Sequence, residues 1–173
     1  MTTATTETRV GGVPRAVAEL VERDEITRLV YRLAAYLDEG RFDDMRNLFV
    51  DDVVASTPGG VAEGIDAVIA QASRNHSPDH GIQHLVANVL VDLEGDRATV
   101  RANLAVTFAR HVAEPDAPSA LGEVYRFVAR QTRSGWRLAR VESHPVWASN
   151  ATLVPVDDLR QRPRAASQDV PGE

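Results

Sequence analysis

The chain of 173 residues contains no cysteine and no lysine. The absence of cysteine excludes disulfides, thiolate nucleophiles and cysteine-ligated zinc. All 19 basic residues are therefore arginines, scattered among 25 acidic residues with a net charge of −6. Surfaces that bind nucleic acid carry clustered basic residues, so this composition argues against a nucleic-acid partner.

Several longer patterns are also missing from the sequence. No apolar run approaches the roughly 18 residues that a membrane-spanning helix needs. The threonine-rich start, residues 1–13, has no hydrophobic segment of the kind found in secretory signals. Neither a glycine-rich phosphate loop nor a nucleophile-elbow motif occurs. We therefore expect a cytoplasmic protein that needs no cofactor and has no membrane partner.

Two pairs of histidines have the spacing of metal ligands. His76 and His80 repeat the His-x-x-x-His pattern of zinc-binding helices, but Pro78 and Gly81 are incompatible with a helix there. His80 and His84 share the spacing on a predicted strand, where their side chains would lie roughly 13 Å apart. We therefore predict no metal site.

The apolar pattern changes from helical to strand-like along the chain. Apolar residues recur at helical spacing over residues 16–39, and Gly40 follows as a stop signal. Shorter helices are predicted over residues 41–49 and 64–75. Runs of β-branched and apolar residues predict strands over residues 51–56, 80–93, 98–111, 121–132 and 136–147.

This order of elements predicts an α+β fold. Three N-terminal helices would pack across the concave face of one curved antiparallel sheet. We expect a single domain over residues 15–148. The flanking segments, residues 1–14 and 149–173, are rich in polar residues, proline or glycine and are predicted to be flexible tails.

Asp38 is the first candidate for acid–base chemistry. A carboxylate at the end of a helix sits in an unfavourable dipole field, so a partly buried Asp38 would need a partner. The alternative is an exposed aspartate that closes the helix beside Glu39 and Gly40. Tyr31 lies seven positions earlier, on the same side of the helix and roughly 10 Å away along its axis.

His84 is the second candidate, on the first long strand. The residues that share its face are apolar apart from one amide: Ile82, Val86, Asn88 and Leu90. A buried histidine needs a hydrogen-bond partner, and Asp38 could supply it. The other ring nitrogen would then accept a proton from a ligand, because histidine titrates near neutral pH. The alternative is a core histidine with a purely structural role.

Two further residues, Asn88 and His144, have two open interpretations each. Asn88 could bind a ligand oxygen, or it could be a core amide that bonds the backbone. His144 and Trp147, near the end of the last strand, could line the mouth of a pocket. His144 could instead form an ion pair with Glu142 at the edge of the sheet, since the two residues share a strand face.

Five segments in the same order resemble the SnoaL-like branch of the nuclear-transport-factor-2-like superfamily. They are YLDEGRFDD at residues 36–44, LFVDDV at 48–53, QHLVAN at 83–88, GDRA at 95–98 and GWRL at 135–138. The resemblance covers roughly residues 17–147. It implies a cone-shaped fold around a deep apolar pocket, and a homodimer or higher homo-oligomer that forms through the outer face of the sheet.

Within this branch, the chain resembles scytalone dehydratase, bile-acid dehydratase and dehydrochlorinase-type lyases, in which an Asp–His pair forms the catalytic dyad. The resemblance assigns these roles to Asp38 and His84. Those enzymes carry a tyrosine at the positions of Leu33 or Leu37, and scytalone dehydratase has a second histidine where this chain has Phe108. We expect substrate contacts from Tyr31, Phe49, Asn88, Phe108, Tyr125, His144 and Trp147.

Together these features predict a cofactor-independent lyase or isomerase of the dehydratase or cyclase type, polyketide cyclases included. Its substrate would be a hydrophobic, cyclic small molecule, and His84 would move the proton with help from Asp38. The alternative is a non-catalytic binding module or scaffold, because one fold supports many functions.

Overall fold

The computed structural model describes residues 9–10, 13–76, 81–109 and 119–149. In this part of the chain, two α-helices and one short 3-10 helix accompany eight strands. The helices are α1 (Arg15–Asp38), the 3-10 helix (Asp43–Asn47) and α2 (Ile65–Asn75). The strands are β1 (Arg9–Val10), β2 (Val13–Pro14), β3 (Phe49–Thr57), β4 (Gly60–Glu63), β5 (Gly81–Glu94), β6 (Arg97–Ala109), β7 (Ser119–Thr132) and β8 (Gly135–Ala148).

The main sheet has six strands in the order β4-β3-β8-β7-β6-β5. The long strands β5 to β8 pair as successive antiparallel neighbours, as the sequence predicts. The sheet is nevertheless mixed, because β3 pairs in parallel with β8. The expectation of a purely antiparallel sheet is therefore wrong. Parallel pairing needs a long connection, and β4, α2 and three strands lie between β3 and β8 in the chain.

The predicted count of three α-helices is also not confirmed. The segment predicted as a second helix contains only the five-residue 3-10 helix Asp43–Asn47. An isolated helix this short gains too few hydrogen bonds to offset the cost of nucleation, so it depends on its surroundings. Its one buried residue, Met45, holds it against the core. Strand β4 was not predicted.

The helices cover one face of the sheet. Helix α1 packs on β5 and β8, and α2 packs on β3 and β4. One side of α1 is buried: Ile26, Leu29, Val30, Leu33 and Ala34. Alternate residues of β6 are buried on the helix-covered face of the sheet: Ala98, Val100, Ala102, Leu104 and Val106. These two apolar surfaces form the core, and their burial supplies the main stabilising free energy.

A β-bulge interrupts β5 and changes which residues face the core. Ala87 pairs with Asn103 and Leu90 with Arg101, so two residues of β5 oppose one of β6. Asn88 lies in the bulge with a φ of 51°, a left-handed conformation in which asparagine is enriched. After the bulge Val91 is buried, whereas Leu90 is 58% exposed.

The two terminal segments lie mostly outside the described residues. Within the predicted N-terminal tail, β1 and β2 pair as a short antiparallel ladder. The predicted C-terminal tail, residues 149–173, is described only at Ser149. Neither α-helix of the described chain combines the length and apolar character that a bilayer crossing requires.

The bulge makes a prediction about stability. Replacing Asn88 by valine should lower the free energy of unfolding by about 1–2 kcal/mol, because a β-branched side chain is strained in the left-handed region. Asn88→Gly is the matched control and should be close to wild type, since glycine adopts this conformation freely. Denaturant titration of both variants is the measurement. Equal stability of the two variants would contradict the left-handed conformation of Asn88.

Candidate active site

A cavity of about 410 Å³ lies between the helices and the sheet. Most of its wall is apolar, with contributions from both α-helices, the 3-10 helix and the sheet: Leu33, Leu37, Met45, Phe49, Val68 and Val106. A smaller set of polar side chains interrupts this wall: Thr57, Gln71, His76, His84, Glu123, Tyr125 and Ser143. Such a mostly apolar pocket with a few convergent polar groups is typical of small-molecule sites.

Asp38 is the last residue of α1, and the end of the helix holds it in place. The chain leaves the helix through Gly40, whose φ is 66°. The amide of Arg41 donates to the carbonyl oxygen of Tyr36 at 2.8 Å, and the amide of Gly40 donates to that of Leu37 at 3.4 Å. This pair of bonds is the Schellman motif, which needs a left-handed residue after the helix. Gly40 was the sequence feature that predicted this helix end.

His84 meets Asp38 through three hydrogen bonds. The Nδ1 atom of His84 lies 2.6 Å from Oδ1 of Asp38. The backbone amide of His84 donates to Oδ1 and Oδ2 of the same carboxylate, at 3.0 and 3.1 Å. The His84 side chain is only 3% exposed, and that of Asp38 is 23% exposed. The carboxylate therefore joins the end of α1 to β5.

This contact selects one tautomer of the imidazole. The Asp38 carboxylate can only accept hydrogen bonds, so the Nδ1 atom of His84 must carry the donated proton. In the neutral ring, Nε2 is then left with its lone pair. His84 also lines the cavity. The arrangement can therefore present a proton acceptor to a bound molecule.

His76 adds a second imidazole beside the first. Its ring stacks on that of His84, with centroids 5.7 Å apart and an interplanar angle of 23°. The Nδ1 atom lies 2.7 Å from the carbonyl oxygen of Ala72, near the end of α2. Burial lowers the pKa of His76, which favours its neutral form. A neutral ring can stack on His84 without adding a fixed positive charge. His80 lies outside the described residues.

Glu123, Ser143 and Tyr125 form a polar cluster on neighbouring strands of the sheet. Glu123 and Tyr125 share a face of β7, and Ser143 is the partner of Tyr125 on β8. The Ser143 hydroxyl donates to Oε1 of Glu123. Burial raises the pKa of Glu123, while hydrogen bonds from Ser143 and Tyr125 oppose the shift. Burial also raises the pKa of the Tyr125 phenol, and the nearby Glu123 adds to this effect.

Three of the predicted substrate-contacting residues line the cavity: Phe49, Phe108 and Tyr125. Phe49 begins β3 beneath the helices, and Phe108 lies opposite Ile82 near the end of β6. Tyr125 is on the inner face of β7. The structure thus brings these residues to the same chamber as His84.

Four other predicted residues lie outside the lining of this cavity. Tyr31 is 49% exposed, on the margin of the buried side of α1. Asn88 is exposed because the bulge turns it away from the face of His84. Nε2 of His144 lies 3.4 Å from Oε2 of Glu142. Both residues lie on the strand face opposite that of Ser143. Trp147 is 49% exposed. Its ring packs directly against Gly122, where any side chain would clash with it.

Sequence reasoning missed five polar residues of the cavity: Thr57, Gln71, His76, Glu123 and Ser143. One signal could have revealed Glu123. Along β7, Leu121, Glu123, Tyr125 and Phe127 share one face, and Glu123 is the charged exception in an otherwise apolar or aromatic series. No comparable sequence signal marks Gln71, which donates to the carbonyl oxygen of Gly60 at 3.0 Å.

An α+β arrangement of two helices on a six-stranded mixed sheet, with a cavity between them, is the NTF2-like fold. The model of the SnoaL-like domain family matches residues 18–142, and the chain belongs to that family. A comparison with curated proteins finds no match.

Several solved structures are similar to this chain. An NTF2-like protein with a cystatin-like fold from Novosphingobium aromaticivorans is 27% identical over 74% of this chain and 84% of its own, with a TM-score of 0.65. A candidate scytalone dehydratase from the same organism is 23% identical over 78% and 90%, with a TM-score of 0.69. The hexachlorocyclohexane dehydrochlorinase LinA-type3 from Novosphingobium barchaimii is 14% identical over 78% and 92%, with a TM-score of 0.68.

The Asp38–His84 contact makes a spectroscopic prediction. Nitrogen and carbon NMR shifts of the His84 ring should report the Nδ1–H tautomer in the neutral state. Asp38→Asn should reduce the population of that tautomer, because a neutral amide oxygen is a weaker acceptor than a carboxylate. Glu142→Gln, a change outside the cavity, should leave the His84 shifts unchanged. A dominant Nε2–H tautomer in the wild type would contradict the arrangement.

The buried carboxyl of Glu123 makes a prediction about pH. Relative to Glu123→Gln, the wild-type free energy of unfolding should fall as pH rises above the ordinary carboxyl value of 4.5. The unfolded chain releases this proton near that pH, whereas the folded chain still holds it, so deprotonation favours unfolding. Denaturant titrations of both proteins across the acidic range measure the difference. A wild-type advantage that grows with pH would show that the pKa shift has the opposite sign.

Proposed function

We propose that this protein is an enzyme that removes a proton from a hydrophobic small molecule without a cofactor. His84 is the general base, and Asp38 orients it. The observation that carries the proposal is the 2.6 Å contact between His84 Nδ1 and Asp38 Oδ1, on a ring that lines the cavity. This contact leaves Nε2 as the atom that accepts the proton.

The proposed step begins with a carbon acid next to a carbonyl group. The C–H bond breaks, its proton moves to Nε2 of His84, and its electron pair enters an enolate or expels a leaving group from the neighbouring carbon. The imidazolium that forms is stabilised by the Asp38 carboxylate. Return of the proton at another carbon gives an isomerisation, and loss of hydroxide, with the proton, gives a dehydration. Proton transfer of this kind contributes about 10²–10⁴-fold, and orientation in the cavity supplies more.

The shape and chemistry of the cavity support a ring-containing substrate. Its volume of about 410 Å³ and its apolar wall suit a hydrophobic, cyclic molecule. Two of the similar structures bear the names dehydratase and dehydrochlorinase, and both names describe elimination reactions. We therefore favour a lyase or isomerase of the dehydratase or cyclase type.

One observation favours the alternative of a non-catalytic binding protein. The lyases that the sequence resembles carry a tyrosine at the positions of Leu33 or Leu37, and both leucines line this cavity. The phenol that would polarise a substrate carbonyl is therefore absent from those two positions. Tyr125 lines the same cavity, but from strand β7 of the sheet and not from α1.

Hydrogen exchange of a bicyclic ketone separates the two functions. In deuterium oxide, the wild type should accelerate the loss of the α C–H signals of β-tetralone, because His84 abstracts these protons. His84→Ala and Asp38→Asn should each reduce the enzyme-dependent rate about 100-fold or more. Proton NMR follows the exchange, and ligand-detected NMR of the same samples reports whether the ketone binds.

The matched control is His144→Ala, which removes a histidine outside the cavity lining and should keep the wild-type exchange rate. Exchange that is unchanged in His84→Ala would remove His84 as the base. A ketone that binds to the wild type with no enzyme-dependent exchange would favour the binding-protein alternative.

A further inference from the structure

The cavity contains a carboxyl group that proton abstraction at His84 does not use. Within the described chain, three polar or charged residues are buried with no more than 8% of their surface exposed, namely Gln71, Glu123 and Ser143, and all three line the cavity. Gln71 has a structural role, because its amide bonds the backbone of Gly60. Glu123 has no arginine partner among the described residues, and its bonds are to Ser143 and Tyr125.

A buried carboxyl without a cation is unfavourable for stability. An apolar side chain of similar size at position 123 would complete the wall between Leu121 and Phe127 without this cost. The cluster therefore requires an explanation beyond folding, and its position in the cavity wall suggests a ligand.

Building on the function proposed above, we propose that Glu123, Ser143 and Tyr125 bind a neutral oxygen of the substrate. This oxygen is a hydroxyl or carbonyl group remote from the carbon that reacts at His84. We call this cluster the oxygen anchor. It implies that the substrate is a hydrophobic ring system with an oxygen function at each end or along its length.

The strand register sets the distance between the two polar ends. His84 pairs with Val106, and Val106 pairs with Leu121. Glu123 follows two residues later on the same face of β7, so its Cα lies roughly 12 Å from that of His84 across the sheet.

The hydrogen-bonding groups of the oxygen anchor favour a neutral ligand oxygen. The Ser143 hydroxyl donates its proton to Glu123, so it offers no further donor. Burial raises the pKa of Glu123, which favours a protonated carboxyl whose O–H can donate to a ligand oxygen. The hydroxyl oxygens of Ser143 and Tyr125 can accept a hydrogen bond from a ligand hydroxyl. A substrate carboxylate would bring a full negative charge to this apolar wall and is disfavoured. The anchor therefore distinguishes alcohols and ketones from acids.

Equilibrium binding of three bicyclic probes tests the anchor. The probes are β-naphthol, naphthalene and β-naphthoate, and titration calorimetry measures each affinity. The wild type should bind β-naphthol about tenfold more tightly than naphthalene, because one buried hydrogen bond is gained. It should bind β-naphthoate more weakly than β-naphthol. Glu123→Leu should reduce the preference for β-naphthol to less than threefold, and Glu123→Gln, which keeps a neutral polar group, should retain part of it.

Two controls separate binding from structure. Glu142→Gln changes a glutamate on the outward face of the neighbouring strand β8 and should keep the wild-type preference. Thermal unfolding of Glu123→Leu should occur at the wild-type temperature or above it, because a buried acid has been removed. A mainly structural role for Glu123 would instead lower that temperature.

The binding test is independent of turnover. His84→Ala should keep the preference for β-naphthol, so the anchor can stand even if the exchange experiment fails. Tyr125→Phe, which removes the phenol hydroxyl and keeps the ring, should also weaken the preference and serves if Glu123→Leu does not fold. The proposal is overturned if β-naphthol does not bind, if wild type binds it no more tightly than naphthalene, or if the full preference survives in folded Glu123→Leu or Tyr125→Phe.

Discussion

The hydrogen bonding between Asp38 and His84 is the contact on which the site depends. One carboxylate at the end of α1 accepts the imidazole Nδ1–H and the backbone amide of β5 together. The helix end and the strand are therefore held in a single relative position, and the ring orientation follows from it. A site built on such rigid elements can hold a reactive atom in place more accurately than one built on loops.

The rest of the cavity extends this arrangement with polar groups in an apolar wall. His76 stacks on one side of His84, while Glu123 and its partners lie across the sheet on β7 and β8. Burial favours the neutral form of both His76 and Glu123. Asp38 can thus supply the local negative charge that an imidazolium needs, with few competing charges inside the chamber.

Much of the fold could be predicted because its signals are local. Helix spacing and Gly40 predicted α1, and the long apolar runs predicted β5 to β8. Failures came where a non-local contact decided the outcome. The parallel pairing of β3 with β8 joins segments that are far apart in the chain. At Asn88, a bulge reverses the alternation that strand parity assumes.

The same division holds for the site. The amino-acid sequence by itself determined that an aspartate ends a long helix at a glycine, that a histidine lies on an apolar strand, and that the chain resembles SnoaL-like proteins. Only the tertiary structure decided that these side chains bond at 2.6 Å, and that Glu123 and Ser143 face the same cavity while Tyr31 and Asn88 do not. The physical reason is that periodicity specifies a face of one element, whereas strand register and packing specify which faces meet.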